Sequence, residues 1–262
     1  MSRHIEIITA SATAAATTGA AAAALTGDSL TVKNGKRIDI IAAWQTNQTA
    51  GFGQLIFPSA HDTTRGFRAN VPVGVNPSLM PFGTMMRVEA QETLQPLIAA
   101  TAVAGDVENV TYLLRYNDSP GMDAHLITAD EVERRVEKWT TIENSLASTA
   151  GPSYGTPETF IADSDLLKAQ REYAIVGLTP RTAVHCVYVQ TPDGGNVRFG
   201  CPGILRQEIT SQWFMLLSRM HNEPLVPVFN SAGKGNAFVG VVTDENAGTF
   251  VVDLHLALLR PR

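Results

Sequence analysis

Asp28–Trp44, DSLTVKNGKRIDIIAAW, comes back in altered form at Asp163–Leu178, DSDLLKAQREYAIVGL. Lys33 answers to Lys168 and Arg37 to Arg171, and in each copy a β-branched, apolar run follows the basic pair. Such runs, bounded by turn formers, read as strands. The order of the matches carries further along the chain. RGFRANVP (65–72) resembles NVRFGCPG (196–203), and VTYLLRYND (110–118) resembles HLALLRP (255–261). The spacing at the last match, 258 − 113 = 145, is larger than at the first, 168 − 33 = 135. A single insertion explains this, where the second half holds ILRQEITSQWFMLLSRM (204–220) and the first half has GVNPSLMPFG (74–83). Repeats of this size do not stack as solenoid units; they make similar domains side by side.

Short strands dominate the rest of the chain. They fall at 4–9, 29–34, 37–44, 53–58, 66–73, 85–91, 97–103 and 110–116, separated by turn formers such as Asn34-Gly35 and Asn76-Pro77. That density suits a sandwich or barrel. The period then changes. In TADEVERRVEKWTTIENSLAS (128–148), Val132, Val136, Trp139, Ile142 and Leu146 lie four, three, three and four apart, which predicts one face of an amphipathic helix. Thr128 and Glu131 have the spacing of a capping box. The expected fold is all-β: two tandem jelly-roll-like β-sandwiches with a connecting helix and one inserted helix. The expected division is a first sandwich with an N-terminal arm at 1–122, a connecting helix and linker at 123–154, and a second sandwich at 155–262 holding the inserted helix 204–220. The apolar face of that second helix is read as Leu205, Ile209, Trp213, Leu216, Leu217 and Met220.

The chain has 262 residues, 44% hydrophobic and 17% charged, enough to bury a real core. The formal net charge of −5, with no basic stripe, argues against direct nucleic-acid binding. No apolar run is long enough to span a bilayer as a helix. The N-terminal residues match a secretion signal poorly, because Glu6 interrupts the one apolar stretch; a first strand at 4–9 and a small-residue arm from Ala10 to Leu25 are expected instead.

Two sandwiches first bring a bicupin-like enzyme to mind. A cupin metal site needs two His one residue apart with a Glu close behind, yet no two of the six histidines lie within thirty residues of each other. There is no Gly-x-Ser-x-Gly elbow, and SAGKGN (231–236) lacks the spacing of a phosphate loop and reads as a hairpin turn with Gly233 and Gly235 at positive φ. No catalytic, metal-ligating or cofactor-binding set is expected, and no cofactor. HCVYVQTPDGGNVRFGC (185–201) reads as a hairpin. A turn at Asp193-Gly194 would set Cys186 opposite Cys201, whereas a turn at Gly194-Gly195 would not.

With its tandem halves, joining helix and late inserted helix, the chain resembles the double jelly-roll major capsid proteins of tailless, membrane-containing bacterial and archaeal viruses. The resemblance is one of architecture; no diagnostic motif carries it, and GVNPSLMPFG stands where the family's first inserted helix would be. It implies a homotrimer with a pseudo-sixfold outline that tiles a larger shell, a place in the virion after assembly in the host cytoplasm, neighbouring shell or membrane proteins, and no catalytic residues. Val132, Val136, Trp139, Ile142 and Leu146 are the expected interface stripe. A carbohydrate-binding or adhesive surface protein is the second reading. It would call for exposed aromatics, but Trp44, Trp139 and Trp213 all sit in apolar patterns. The bicupin-like enzyme is the third.

Overall fold

Ile38–Trp44 are buried without a break, Asp39 included, and so are Tyr173–Pro180. Side chains alternate along a strand, so such runs need cover on both faces. The computed structural model supplies it; it describes residues 4–13, 23–24, 26–27, 30–34, 36–46, 51–56, 67–71, 86–100, 107–117, 125–148, 153–154, 157–159, 164–203, 207–243 and 248–262.

The first half contributes β1 (His4–Thr13), β2 (Ala23–Ala24), β3 (Thr26–Gly27), β4 (Leu30–Thr31), β5 (Ile38–Thr46), β6 (Gly51–Ile56), β7 (Phe67–Val71), β8 (Met86–Val88), β9 (Thr93–Ala100) and β10 (Val107–Tyr116). They form two five-stranded sheets, β3-β1-β10-β5-β8 and β2-β9-β6-β7, with β4 also paired to β9. The second half contributes β11 (Leu126–Ile127), α1 (Ala129–Arg135), β12 (Val136–Ser148), β13 (Ser153–Tyr154), β14 (Glu158–Thr159), β15 (Glu172–Pro180), β16 (Cys186–Gln190) and β17 (Phe199–Pro202). After these come α2 (Gln207–Thr210), α3 (Trp213–His221), β18 (Val226–Asn230), β19 (Phe238–Thr243) and β20 (Gly248–Leu259). Its sheets are β11-β18-β15-β20-β12 and β13-β19-β16-β17, with β14 also paired to β19.

The two halves share one strand order. β1-β10-β5-β8 matches β12-β20-β15-β18, β2-β9-β6-β7 matches β13-β19-β16-β17, and β4 matches β14. Counting in each half only the eight strands of these two four-stranded paths, the first pairs the last and the second pairs the seventh, which is the order of an eight-stranded jelly roll. The words matched in the sequence fall on β5 and β15, β7 and β17, and β10 and β20. One irregularity repeats as well. The β10–β5 ladder bulges at Ile41 and the β20–β15 ladder at Val176, and these residues lie as far apart in sequence as Lys33 and Lys168. The fold is all-β, with two jelly-roll-like sandwiches.

The helix expected over 128–148 is not formed as such. Helix α1 ends at Arg135, and Val136–Ser148 is strand β12, paired with β20 from Val136↔Leu259 to Ser148↔Gly248. The misreading has a physical source, because residues four apart share a face in a strand as well as in a helix. Ile142 and Leu146 therefore point inward under either geometry, but Trp139, at odd spacing from them, turns to the opposite face. Thr140, Thr141 and Ile142 are β-branched, and the alternating Phe250, Val252, Leu254 and Leu256 offer them a ladder. Thr128 does cap α1, its Oγ1 accepting from the Glu131 amide at 3.2 Å. Glu131 does not return the bond; it pairs with Arg135 at 3.0 Å.

The boundaries shift accordingly. β12 and β13 belong to the second sandwich, so 123–154 is not a helix and linker. The expected arm begins inside β1, which runs to Thr13, and β2 falls within it as well; residues 14–22 and 25 of the arm and the GVNPSLMPFG segment (74–83) lie outside the described residues. The inserted helix is broken into α2 and α3 by Ser211-Gln212, with Leu205 outside the described residues. Met220 is exposed, and Phe214 and Met215 are buried beside Trp213 and Leu217. Asn222, at φ 51°, ends α3 in a left-handed cap. SAGKGN is a 3-10 turn capped by Asn230, and among the described glycines positive φ belongs to Gly195 alone.

Ile8, Ile40, Val110, Tyr112 and Leu114 form a core inside the first sandwich. The other face of the same sheet, with Ile7, Trp44 and Leu113, belongs to one cluster with the interior of the second half. That explains the unbroken burial of β5. For β15 the extra cover is α2 and α3. They lie so close that a Cβ on Gly177 would come within 2.1 Å of the Thr210 carbonyl oxygen.

Candidate functional site

Two places bring functional groups together. The first is the seam between the sandwiches. Trp44 Nε1 donates to the His185 carbonyl at 3.2 Å, and its ring meets Trp213 of α3 edge-on at 6.1 Å. Thr111 Oγ1 lies 2.6 Å from His185 Nε2 and 2.7 Å from Thr9 Oγ1. The amide of Ile7 donates to Arg198 O at 2.7 Å, and His221 Nε2 lies 3.3 Å from the carbonyl of the bulged Ile41. Charge crosses the seam too. Asp39, only 1% exposed, accepts from Arg115 at 2.9 Å and Asn117 at 2.6 Å, and Arg115 Nη1 sits 3.0 Å from Glu223. Burial alone would raise the Asp39 pKa; the Arg115 and Asn117 hydrogen bonds, with the fields of Arg115 and Arg37, outweigh it and bring the value down.

A Thr–His contact at 2.6 Å has the look of a nucleophile beside its base. Both side chains are fully buried, however, and burial pushes His185 down to about 3, too weak a base for work near neutral pH. His4, stacked on Tyr116 at 4.3 Å, is pushed down by burial to about 4. His185 is a neutral fastener of the seam, and His4 is held neutral within the first half.

The second place is a groove of about 430 Å³ on the outer face of the β12-β20-β15 sheet. Its floor is Trp139, Thr141, the bulged Val176 and His255; its wall is Gln212, Met215 and Arg219 of the helical insertion. Trp139 is 53% exposed and stands opposite the small Ala257 on β20. Thr141 and Thr179 hold His255 at 3.3 and 3.0 Å, and burial lowers its pKa. Arg219 is ion-paired with Glu133 at the rim. Along the same sheet, Lys168 and Arg171 hold Glu137 down to about 2, and Arg181 joins Glu143 to Asp253.

The sequence-expected interface stripe is dispersed. Val132, Ile142 and Leu146 are buried inside the second half, Val136 is half-buried, and of the five only Trp139 faces solvent. Trp139 is therefore an exposed aromatic despite the apolar pattern in which it sits. Cys186 and Cys201 are free and fully buried. Neither two-residue turn forms. Pro192–Gly194 makes a 3-10 turn capped by Thr191, Gly195 follows at φ 77°, and the register pairs Cys186 with Pro202 and Val187 with Cys201. A one-residue offset turns the thiols to opposite faces. Burial raises both thiol pKa values, foremost among the causes. The seam was not legible in the sequence, because it depends on contacts between residues 74 to 191 positions apart. Among the described residues no group of three or more His, Cys, Asp or Glu is placed to hold a metal, and no helix is long and apolar enough to cross a membrane.

No protein-family model matches the chain, and no curated protein matches it. Solved structures similar to it include the major capsid protein P2 from Bacteriophage PM2, at 8% identity and TM-score 0.27 over 99% of this chain and 98% of that one. The PBSX exported protein XepA matches at 9% identity and TM-score 0.23, over 91% and 86%. The STIV MCP matches at 10% identity and TM-score 0.18, over 98% and 97%. The fold assignment rests on this chain's own strand order rather than on these likenesses.

Proposed function

We propose that the chain is a self-assembling structural protein, a shell subunit of the viral major-capsid type that associates as a homotrimer. One observation carries the reading: two jelly rolls that share the order of their eight core strands and a bulge at the same place on β5 and β15 are fused side by side through a buried seam. Closed ring symmetry is the ordinary state of homo-oligomers. Three such chains around a threefold axis place six similar sandwiches in a ring, giving a near-hexagonal tile that packs against its own kind. The seam suits that role. Its tryptophan pair, its buried hydrogen bonds and the Asp39–Arg115–Glu223 chain fix the two sandwiches as one block, as a repeating tile requires. Sedimentation of the purified chain tests it. The expected species has three times the 28.1 kDa chain mass, or is a larger particle. A monomer at every loading concentration overturns it.

A further inference from the structure

The groove beside Trp139 is lined by residues of the second half, none of which makes the seam contacts described above. Its volume, about 430 Å³, is in the range of small-molecule sites. Its chemistry is selective. An exposed indole offers a flat, rigid apolar face, left open because its cross-strand neighbour Ala257 is small. Around it stand the amide of Gln212 and the hydroxyls of Thr141 and Ser211. The one cation among the lining residues, Arg219, is matched by Glu133, and the His255 nitrogens are engaged by two threonines, so no unpaired lining cation draws an anion. The β-bulge at Val176 adds an apolar patch to the floor; bulges commonly re-aim a side chain beside a functional site. A flat apolar platform ringed by uncharged donors and acceptors matches a pyranose, which has one C–H face and a rim of hydroxyls.

We propose that this groove binds a neutral saccharide, with the Trp139 ring stacked on the sugar's C–H face and Gln212 bonding its hydroxyls. The inference is independent of how the chain assembles. The test is saturation-transfer NMR on the full chain with methyl glucoside, methyl galactoside and the methyl glycoside of N-acetylglucosamine. The expected result is saturable transfer to at least one of these probes, strongest at the ring protons of one sugar face, with a millimolar dissociation constant. In Trp139→Ala the affinity falls about tenfold or more, the scale of a lost aromatic stack. Trp139→Phe keeps part of the binding, and Gln212→Ala weakens it while leaving the unfolding temperature in place. Absence of transfer to all three probes overturns the proposal, as does transfer undiminished in Trp139→Ala. No sugar response combined with a changed sedimentation coefficient in Trp139→Ala also overturns it, and assigns the ring to a contact between copies.

Discussion

At the scale of single residues, tryptophans in similar surroundings of sequence have opposite roles. Trp44 is 1% exposed and bonds across the seam; Trp44→Ala is expected to cost about 3–5 kcal/mol in urea unfolding. Trp139→Ala, from an exposed ring, is expected to cost less than about 1 kcal/mol. Equal losses would contradict the placement of either ring. The buried histidines give a pH signature. Unfolded imidazole titrates near 6.5, and burial lowers folded His4 to about 4 and His185 to about 3. As pH falls below 6.5, the unfolded chain binds protons that the folded chain refuses, so stability present above 6.5 drains away until each folded value is passed. By pH 5 the loss is up to about 2 kcal/mol for each group. Urea midpoints measured from pH 7.5 to 5 check this, and His185→Gln should flatten the slope. A wild-type midpoint that does not move refutes the assignment. For the thiols, a disulfide-exchange reagent should find neither Cys186 nor Cys201 rapidly in the folded protein and both after unfolding; a fast native thiol would contradict their burial.

At the scale of elements, the legible ones had a single period. β5, β10, β15 and β20 could be read because β-branched and apolar residues left no helical alternative. β12 misled because its inward residues Ile142 and Leu146 sit four apart, a spacing that fits both periods, and because the true start of helix at Thr128 adjoined it. The partner that decides between them, β20, lies more than a hundred residues later. The helical insertion was legible in existence but not in its break at Ser211-Gln212, which lets α2 lie against Gly177. Gly177→Ala forces a methyl into backbone and is expected to destabilise by about 1–3 kcal/mol, read as a lowered urea midpoint. An unchanged midpoint would mean that the helices do not sit on β15 as described. The groove was not legible at all. It exists because Trp139 faces out and the insertion overhangs it, and both depend on the strand assignment of β12.

At the scale of the whole molecule, duplication was legible from the order of short words, while the way the copies join was not. One hydrophobic cluster draws Ile7, Trp44 and Leu113 of the first half together with Val187, Trp213 and Leu254 of the second. Sandwiches sharing a core are expected to unfold together, so calorimetry should show one transition whose van't Hoff and calorimetric enthalpies agree. Two separated transitions would reveal a seam weaker than its contacts indicate.

The double burial of β5 also bears on how the chain is made. The N-terminal sandwich can close on its own inner core as soon as β10 has left the ribosome, yet its outer face, with Ile5, Ile7, Trp44 and Leu113, then has no cover. The residues that cover it are synthesised later, down to α3 near position 213. At about 5–20 residues per second, that interval lasts roughly 5–20 s. During it the nascent protein displays a sticky apolar sheet beside other nascent copies of itself. Expression is therefore expected to respond to translation speed and chaperone supply, and slowing synthesis between β10 and α3 to raise the insoluble fraction.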